Sequence, residues 1–169
     1  MKKCLTAMVI VLLAAGASLA GMLDISGRAG LFTAPGASAS SAMYGLAANV
    51  RLTDNWSVRA SVDTTSYTVN NNSATYVPVR LDVIYTTTVV AFFHPYAGAG
   101  VSYNTITVTG FPSTTSTGAQ AEAGITFSLL GFGAGVEYCY LIPDVNHTNN
   151  SASAYNAYMT GGFSRSLSF

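Results

Sequence analysis

From Leu23 to Phe169 the chain repeats one pattern, apolar and polar side chains in turn, and that pattern constrains it more than any motif does. Period two is the signature of a β-strand with one greasy face. In the last stretch Tyr155, Ala157, Met159, Gly161, Phe163, Leu167 and Phe169 share one parity, against Asn156, Thr160, Ser164, Ser166 and Ser168. Charges follow the same rule. Asp24, Arg28, Arg51, Arg59, Asp63, Arg80, Asp82, Glu122 and Glu137 each fall on the non-apolar parity of an alternating stretch, and Asp54 and Asp144 fall between stretches. Only Arg165 stands on a greasy face, near the end of the chain, where its stem can snorkel.

Eight strands are expected: Leu23 to Thr33, Ala42 to Leu52, a third from Trp56, Tyr76 to Thr86, Tyr96 to about Val108, Ala119 to Ser128, a seventh from Phe132, and Ala154 to Phe169. Pro35-Gly36, Thr53-Asp54-Asn55, the tract Asn70-Asn71-Asn72-Ser73, an apolar turn at Val89 to Phe93 ended by His94-Pro95, the stretch Gly110 to Gly118, Leu129 to Gly131, and Pro143 to Ser153 separate them. Beyond Asn104 the apolar parity passes to Ile106 and Val108, which predicts a bulge. Short connections alternate with longer polar ones, as periplasmic turns alternate with extracellular loops.

Half the residues are hydrophobic and only 8% are charged, yet beyond the N-terminal segment no run approaches the length of a membrane-spanning helix. Apolar content without apolar runs points to an all-β fold, an eight-stranded antiparallel up-and-down transmembrane β-barrel. The last strand must close on the first, because lipid offers no partner to an open edge. A lipid-facing arginine at the bilayer midplane costs about 2 to 4 kcal/mol, so the charged parity faces the lumen. Asp24, Arg28, Arg51, Arg59, Asp63, Arg80, Asp82, Glu122 and Glu137 are thus expected to form an interior ion-pair network. Facing Thr33 with Ala42 sets Asp24 opposite Arg51, and the Asn tract sets Asp63 beside Arg80 or Asp82. Glu122 and Glu137, on adjacent strands, need an arginine between them, or one should hold a proton; an arginine is expected to reach across the lumen to them, with Arg80 as the one to test. Side chains just fill an eight-stranded interior, which excludes a wide pore; alternating glycines at 98, 100, 133 and 135 make room there. Trp56, Tyr85, Phe127, Phe132 and Phe169 lie near the short-turn end and Tyr44, Tyr140 and Tyr155 near the long-loop end, as two interfacial belts require.

Met1-Lys2-Lys3, an apolar run from Cys4 to Ala15 and small residues up to Ala20 read as a cleavable signal peptide over residues 1–20, leaving the barrel at 21–169. Cys4 precedes the apolar run and cannot be a lipid anchor, so Cys139 becomes the sole cysteine, expected as a small buried side chain. Five arginines then face seven acids, which excludes a basic surface for nucleic acid. Neither a metal-ligand cluster nor a phosphate-cradling loop is present in the sequence, and no cofactor is expected. Asp144, His147 and Ser151 in the last loop are the candidates for catalysis, but their spacing fits no motif, and no enzyme is expected. His94 reads as a turn residue.

Tyr76-Val77-Pro78-Val79-Arg80-Leu81-Asp82-Val83-Ile84-Tyr85, followed by His94-Pro95-Tyr96-Ala97-Gly98-Ala99-Gly100-Val101-Ser102-Tyr103, resembles the small OmpA-like and OmpX-like outer-membrane β-barrel domains. The resemblance extends loosely over Gly21 to Phe169. It implies a bacterial outer-membrane location, lipid as the surrounding partner, and recognition of Phe169 as an assembly signal by the outer-membrane assembly machinery. A monomer is expected, with a structural or surface-interaction role in adhesion or envelope integrity and a possible host or cell-surface ligand at its loops. The rivals are a narrow transport channel for small or hydrophobic solutes and a lipid A-modifying enzyme.

Overall fold

Alternation becomes a wall with two faces. The computed structural model describes residues 23–37, 39–69, 72–129, 132–148 and 151–162. Eight strands follow in chain order: β1 Leu23–Thr33, β2 Ser41–Arg51, β3 Trp56–Val69, β4 Asn72–Thr86, β5 Phe93–Val108, β6 Thr114–Leu129, β7 Phe132–Ile142 and β8 Ala152–Gly162. Each pairs antiparallel with its sequence neighbours, and β8 closes on β1, from Asp24 opposite Gly162 to Thr33 opposite Ser153. The residue 1–20 leader, Arg165 and Phe169 lie outside the described residues.

Outward positions carry the apolar parity: Ile25, Leu31, Tyr44, Leu46, Val62, Leu81, Val83, Val101, Val136 and Met159 are all exposed on the outer wall. Inward positions bury Arg28, Arg59, Asp63, Arg80, Asp82, Glu122 and Glu137. In water this would be an inverted molecule. In a bilayer both faces meet their preferred surroundings.

Several local expectations are corrected. No bulge interrupts β5: its pairing runs without a break from Ala74 opposite Val108 to Thr86 opposite Tyr96, and from Ile106 opposite Thr114 to Phe93 opposite Phe127. Ile106 keeps the inward parity of Asn104 because the lumen itself turns apolar at that level, where Phe32, Met43, Tyr76 and Leu141 are buried. Asn72 and Ser73 of the Asn tract and Thr114 to Gly118 of the Ser/Thr-rich stretch belong to strands, since β4 begins at Asn72 and β6 at Thr114, while Asn70 and Asn71 lie outside the described residues. Polar β-branched residues pair well in a sheet that rises out of the lipid. The β1–β2 register also differs, with Phe32 opposite Ser41 and Asp24 opposite Asn49 instead of Arg51.

At the periplasmic end, Phe93 N donates to Val90 O at 2.9 Å and Val89 N to Phe93 O at 3.2 Å, closing the apolar turn. His94 and Pro95 therefore sit inside β5 and do not end the turn. Trp56 packs on Tyr85 at 5.0 Å between ring centroids and Phe93 on Phe127 at 5.3 Å, near this end of the outer wall. Tyr138 and Tyr155 pair at 4.8 Å.

Candidate functional site

The lumen is stacked in three levels. At the extracellular end Phe32, Met43, Tyr76, Leu141 and small residues form an apolar plug, with Phe32 stacked on Tyr76 at 5.0 Å. Tyr76 Oη donates to Asn104 Oδ1 at 2.8 Å, and Asn104 Nδ2 donates to Pro143 O at 2.7 Å, which ties the last loop to the plug.

The ionic level lies beneath. Arg59 on β3 reaches across the lumen to Glu122 on β6 and to Glu137 on β7, at 2.5 Å from Glu137 Oε2. Arg28 on β1 pairs with Glu137 Oε1 and lies 3.8 Å from Asp63 Oδ1. Arg80 on β4 holds Asp63 Oδ2 at 2.5 Å, donates to Ser61 Oγ at 3.1 Å and reaches Cys139 Sγ at 3.2 Å. Glu137 is the hub: besides both arginines, Tyr96 Oη donates to it at 2.8 Å and Asn156 Nδ2 at 3.3 Å. Glu122 has no such company. Among the described residues its ionic contact is Arg59 alone. Asp82 accepts from Gln120 Nε2 at 2.6 Å across the intervening Gly100.

Tyr96 and Tyr158 form the third level, their rings 6.4 Å apart, with the Arg59 guanidinium 5.5 Å from the Tyr96 centroid. Each ring lies over a glycine on the paired strand, Tyr96 opposite Gly124 and Tyr158 opposite Gly135. A Cβ at either glycine would come within 2.5 Å of that ring. Below them a cavity of about 390 Å³, lined by Arg51, Asn49, Thr86, His94 and Thr160 among others, opens toward the periplasm.

The structure thus brings seven of the nine expected lumen charges into one buried cluster. Arg51 and Asp24 stand apart at the periplasmic mouth, 3.9 Å from each other and partly solvated. The arginine between Glu122 and Glu137 is Arg59, not Arg80, because the β3–β4 register places Ser61 opposite Arg80 and leaves Arg80 beside Asp63. Gln120, Tyr96, Asn104 and Asn156 complete the cluster and escaped a reading based on formal charge alone. Their signal was parity, since each shares the inward face of its strand with a charge or a glycine. In the last loop His147 Nδ1 lies 2.8 Å from Asp144 Oδ2, and Asn146 N donates to Asp144 Oδ1 at 2.9 Å. Among the described residues no contact joins Ser151 to this pair. The hydrogen bond from His147, with help from the Asn146 backbone, holds the Asp144 carboxyl below its usual 3.8.

A closed eight-stranded wall, greasy outside and ionised within, defines a bacterial outer-membrane barrel. The chain belongs to the outer-membrane protein β-barrel domain family, whose profile matches residues 4–166. Neisserial surface protein A shares the fold with a TM-score of 0.73 at 18% identity, over 83% of this chain and 96% of that one. Ail, the attachment invasion locus protein of Yersinia pestis, follows at 0.55 and 14%, over 83% and 95%. The outer membrane enzyme PagL is similar at 0.55 and 14%, over 81% and 97%. No curated protein matches the sequence.

Proposed function

We propose that this protein is a monomeric structural and surface-interaction barrel, neither a pore nor an enzyme, whose plugged lumen makes a rigid support for its extracellular hairpins. The observation that carries this reading is the ionic level, which joins β1, β3, β4, β6 and β7 across the lumen through Arg28, Arg59, Arg80, Asp63, Glu122 and Glu137. With an apolar plug above it and two tyrosines below, the described side chains fill the lumen at three levels. Tyr96, Tyr158 and Arg59 are among the residues that line the periplasmic cavity.

Ail is by its name an attachment protein, and one of its structures is a complex with the heparin analogue sucrose octasulfate. Sulfates call for clustered cations. Here the arginines of the described residues lie in the lumen or at the periplasmic mouth, so a polyanion is not the partner this surface fits. PagL gives the enzymatic reading its weight, but the Asp144–His147 pair lacks an attached nucleophile among the described residues.

Planar-bilayer recordings test the proposal. The purified barrel is expected to give no steady conductance. Discrete ion steps that disappear in Arg59→Ala or Arg80→Ala would establish a channel instead. Unaltered lipid A is expected in cells lacking and in cells overproducing the protein, and a change in its acylation would establish an enzyme.

A further inference from the structure

β1, β2 and β7 each have 11 residues, whereas β3, β4, β5 and β6 have 14, 15, 16 and 16. At about 3.3 Å per residue and a tilt near 40°, 11 residues rise roughly 28 Å, close to the apolar band of about 25 Å, and 16 rise roughly 40 Å. The central four strands therefore stand on the order of 12 Å above the lipid. Pairing with the short strands ends below that height, at Met43 opposite Thr65 and Ala119 opposite Ile142. What rises is a four-stranded ledge, continuous with the lipid-facing wall.

The outer face of the ledge changes character abruptly. Val62, Val79 and Tyr103 form the last mainly apolar row, with Thr117 at its end. One step higher Val77 neighbours Thr105, which neighbours Thr115. The next row is hydroxyl throughout: Ser66 Oγ lies 3.3 Å from Thr75 Oγ1, Thr75 pairs with Thr107, and Thr107 Oγ1 lies 2.8 Å from Ser113 Oγ. Thr68 and Ser73 face each other above it. No Asp, Glu, Lys, Arg or His occurs in residues 64–69, 72–77 or 103–117.

From this we infer that the hydroxyl face of the ledge binds the neutral sugars of glycolipid headgroups in the protein's own outer leaflet. It rests on the surface-interaction reading above and names that surface's partner. Continuity decides the occupant: the same four strands contact acyl chains below, so the groups beside the ledge are the headgroups of those lipids. Charge decides the part of the headgroup. Phosphates would draw arginine or lysine, and none is present, whereas sugar hydroxyls exchange hydrogen bonds with serine and threonine directly or through water. Threonine methyl groups meanwhile meet the C–H faces of the rings.

The test uses the folded barrel in phospholipid nanodiscs, titrated with lipopolysaccharide carrying core sugars and, separately, with lipid A stripped of them. Both share the lipid A phosphates and acyl chains, so a difference isolates the core saccharide, and a core lacking phosphate keeps added charge out of the comparison. The native barrel is expected to bind the sugar-bearing lipid roughly tenfold more tightly, as two or three net hydrogen bonds allow. The variant Ser66→Ala, Thr75→Val, Thr105→Val, Thr107→Val is expected to lose that preference while keeping heat-modifiable migration. Equal binding of the two lipids by the native barrel, or an undiminished preference in the variant, overturns the inference. Should the variant not fold, amide exchange at Ser66, Thr75 and Thr107 of the native barrel decides: slowing only by the sugar-bearing lipid supports it, and equal slowing by both refutes it. A conducting barrel that kept the preference would sink the functional proposal and leave this inference standing, while a silent barrel without it would do the reverse.

Discussion

Glu122 and Glu137 carry the same charge on adjacent strands, and the structure separates their roles sharply enough to test. Within the buried cluster three guanidiniums, Arg28, Arg59 and Arg80, face four carboxylates, Asp63, Asp82, Glu122 and Glu137. Glu137→Gln removes the anion that Arg28 and Arg59 share and weakens its bonds to Tyr96 and Asn156. Arg28 would be left with Asp63 at 3.8 Å as its counter-charge. Breaking a buried pair from one side costs about 3 to 5 kcal/mol, because the remaining ion stays desolvated. Glu122→Gln breaks one contact to an arginine that keeps Glu137, so the expected change is within about 1 kcal/mol of zero. In urea titrations followed by heat-modifiable gel migration, Glu137→Gln should lose most of the folded barrel's margin, with a melting point lower by roughly 10 °C. Glu122→Gln should migrate like the native protein. Equal losses in the two variants would refute the hub assignment. So would a Glu137→Gln barrel as stable as the native one.

Gly124→Ala is expected to destabilise by about 1 to 3 kcal/mol, since its Cβ would press into the Tyr96 ring. Gly27→Ala, on the outer wall with nothing within 4 Å, should stay within about 0.5 kcal/mol, and indistinguishable unfolding midpoints for the two would count against the ring-over-glycine packing. Cys139, fully buried beside Arg80, should resist maleimide in the folded barrel and react once the barrel is boiled; fast labelling at native mobility would contradict the packed lumen. For the last loop the sign follows from a depressed carboxyl. Its contribution to loop order is complete above the ordinary value of 3.8 and fades as pH falls through the lower folded value, so the side-chain carboxyl carbon of Asp144 should titrate with its midpoint below 3.8. A midpoint above 4 would refute that geometry. Phe111, 64% exposed at the tip of the β5–β6 hairpin, is the residue whose change to Ala should most weaken cell-surface contact without altering heat-modifiability.

Aromatic residues show where parity reasoning reached its limit. Tyr44 and Tyr155 share the greasy parity and face lipid, while Tyr76, Tyr96 and Tyr158 share the polar parity and fill the lumen. From sequence, Tyr44 and Tyr155 fall in the outer belts and Tyr76, Tyr96 and Tyr158 receive no direction, although their parity carries it. Parity could not show that Tyr96 would meet Glu137, because those residues sit on β5 and β7 and touch only across the lumen. The expected partner of the two glutamates failed for the same reason. Asp63 claims Arg80 through a diagonal on adjacent strands, and that freed Arg59 for Glu122 and Glu137. The bulge expected after Asn104 failed differently: the change at Ile106 lay in the lumen's contents, not in the chain's path.

By itself the sequence determined strand number, the inward parity of the charges and the closed cylinder, because a two-residue period and a lipid surround leave a backbone no other way to satisfy its hydrogen bonds. Only the tertiary structure decided which ion meets which, how far the central hairpins stand above the membrane, and where the lumen changes from apolar to ionic. Those outcomes depend on stagger between strands and on contacts across the lumen, and neither is encoded in the alternation along any one strand.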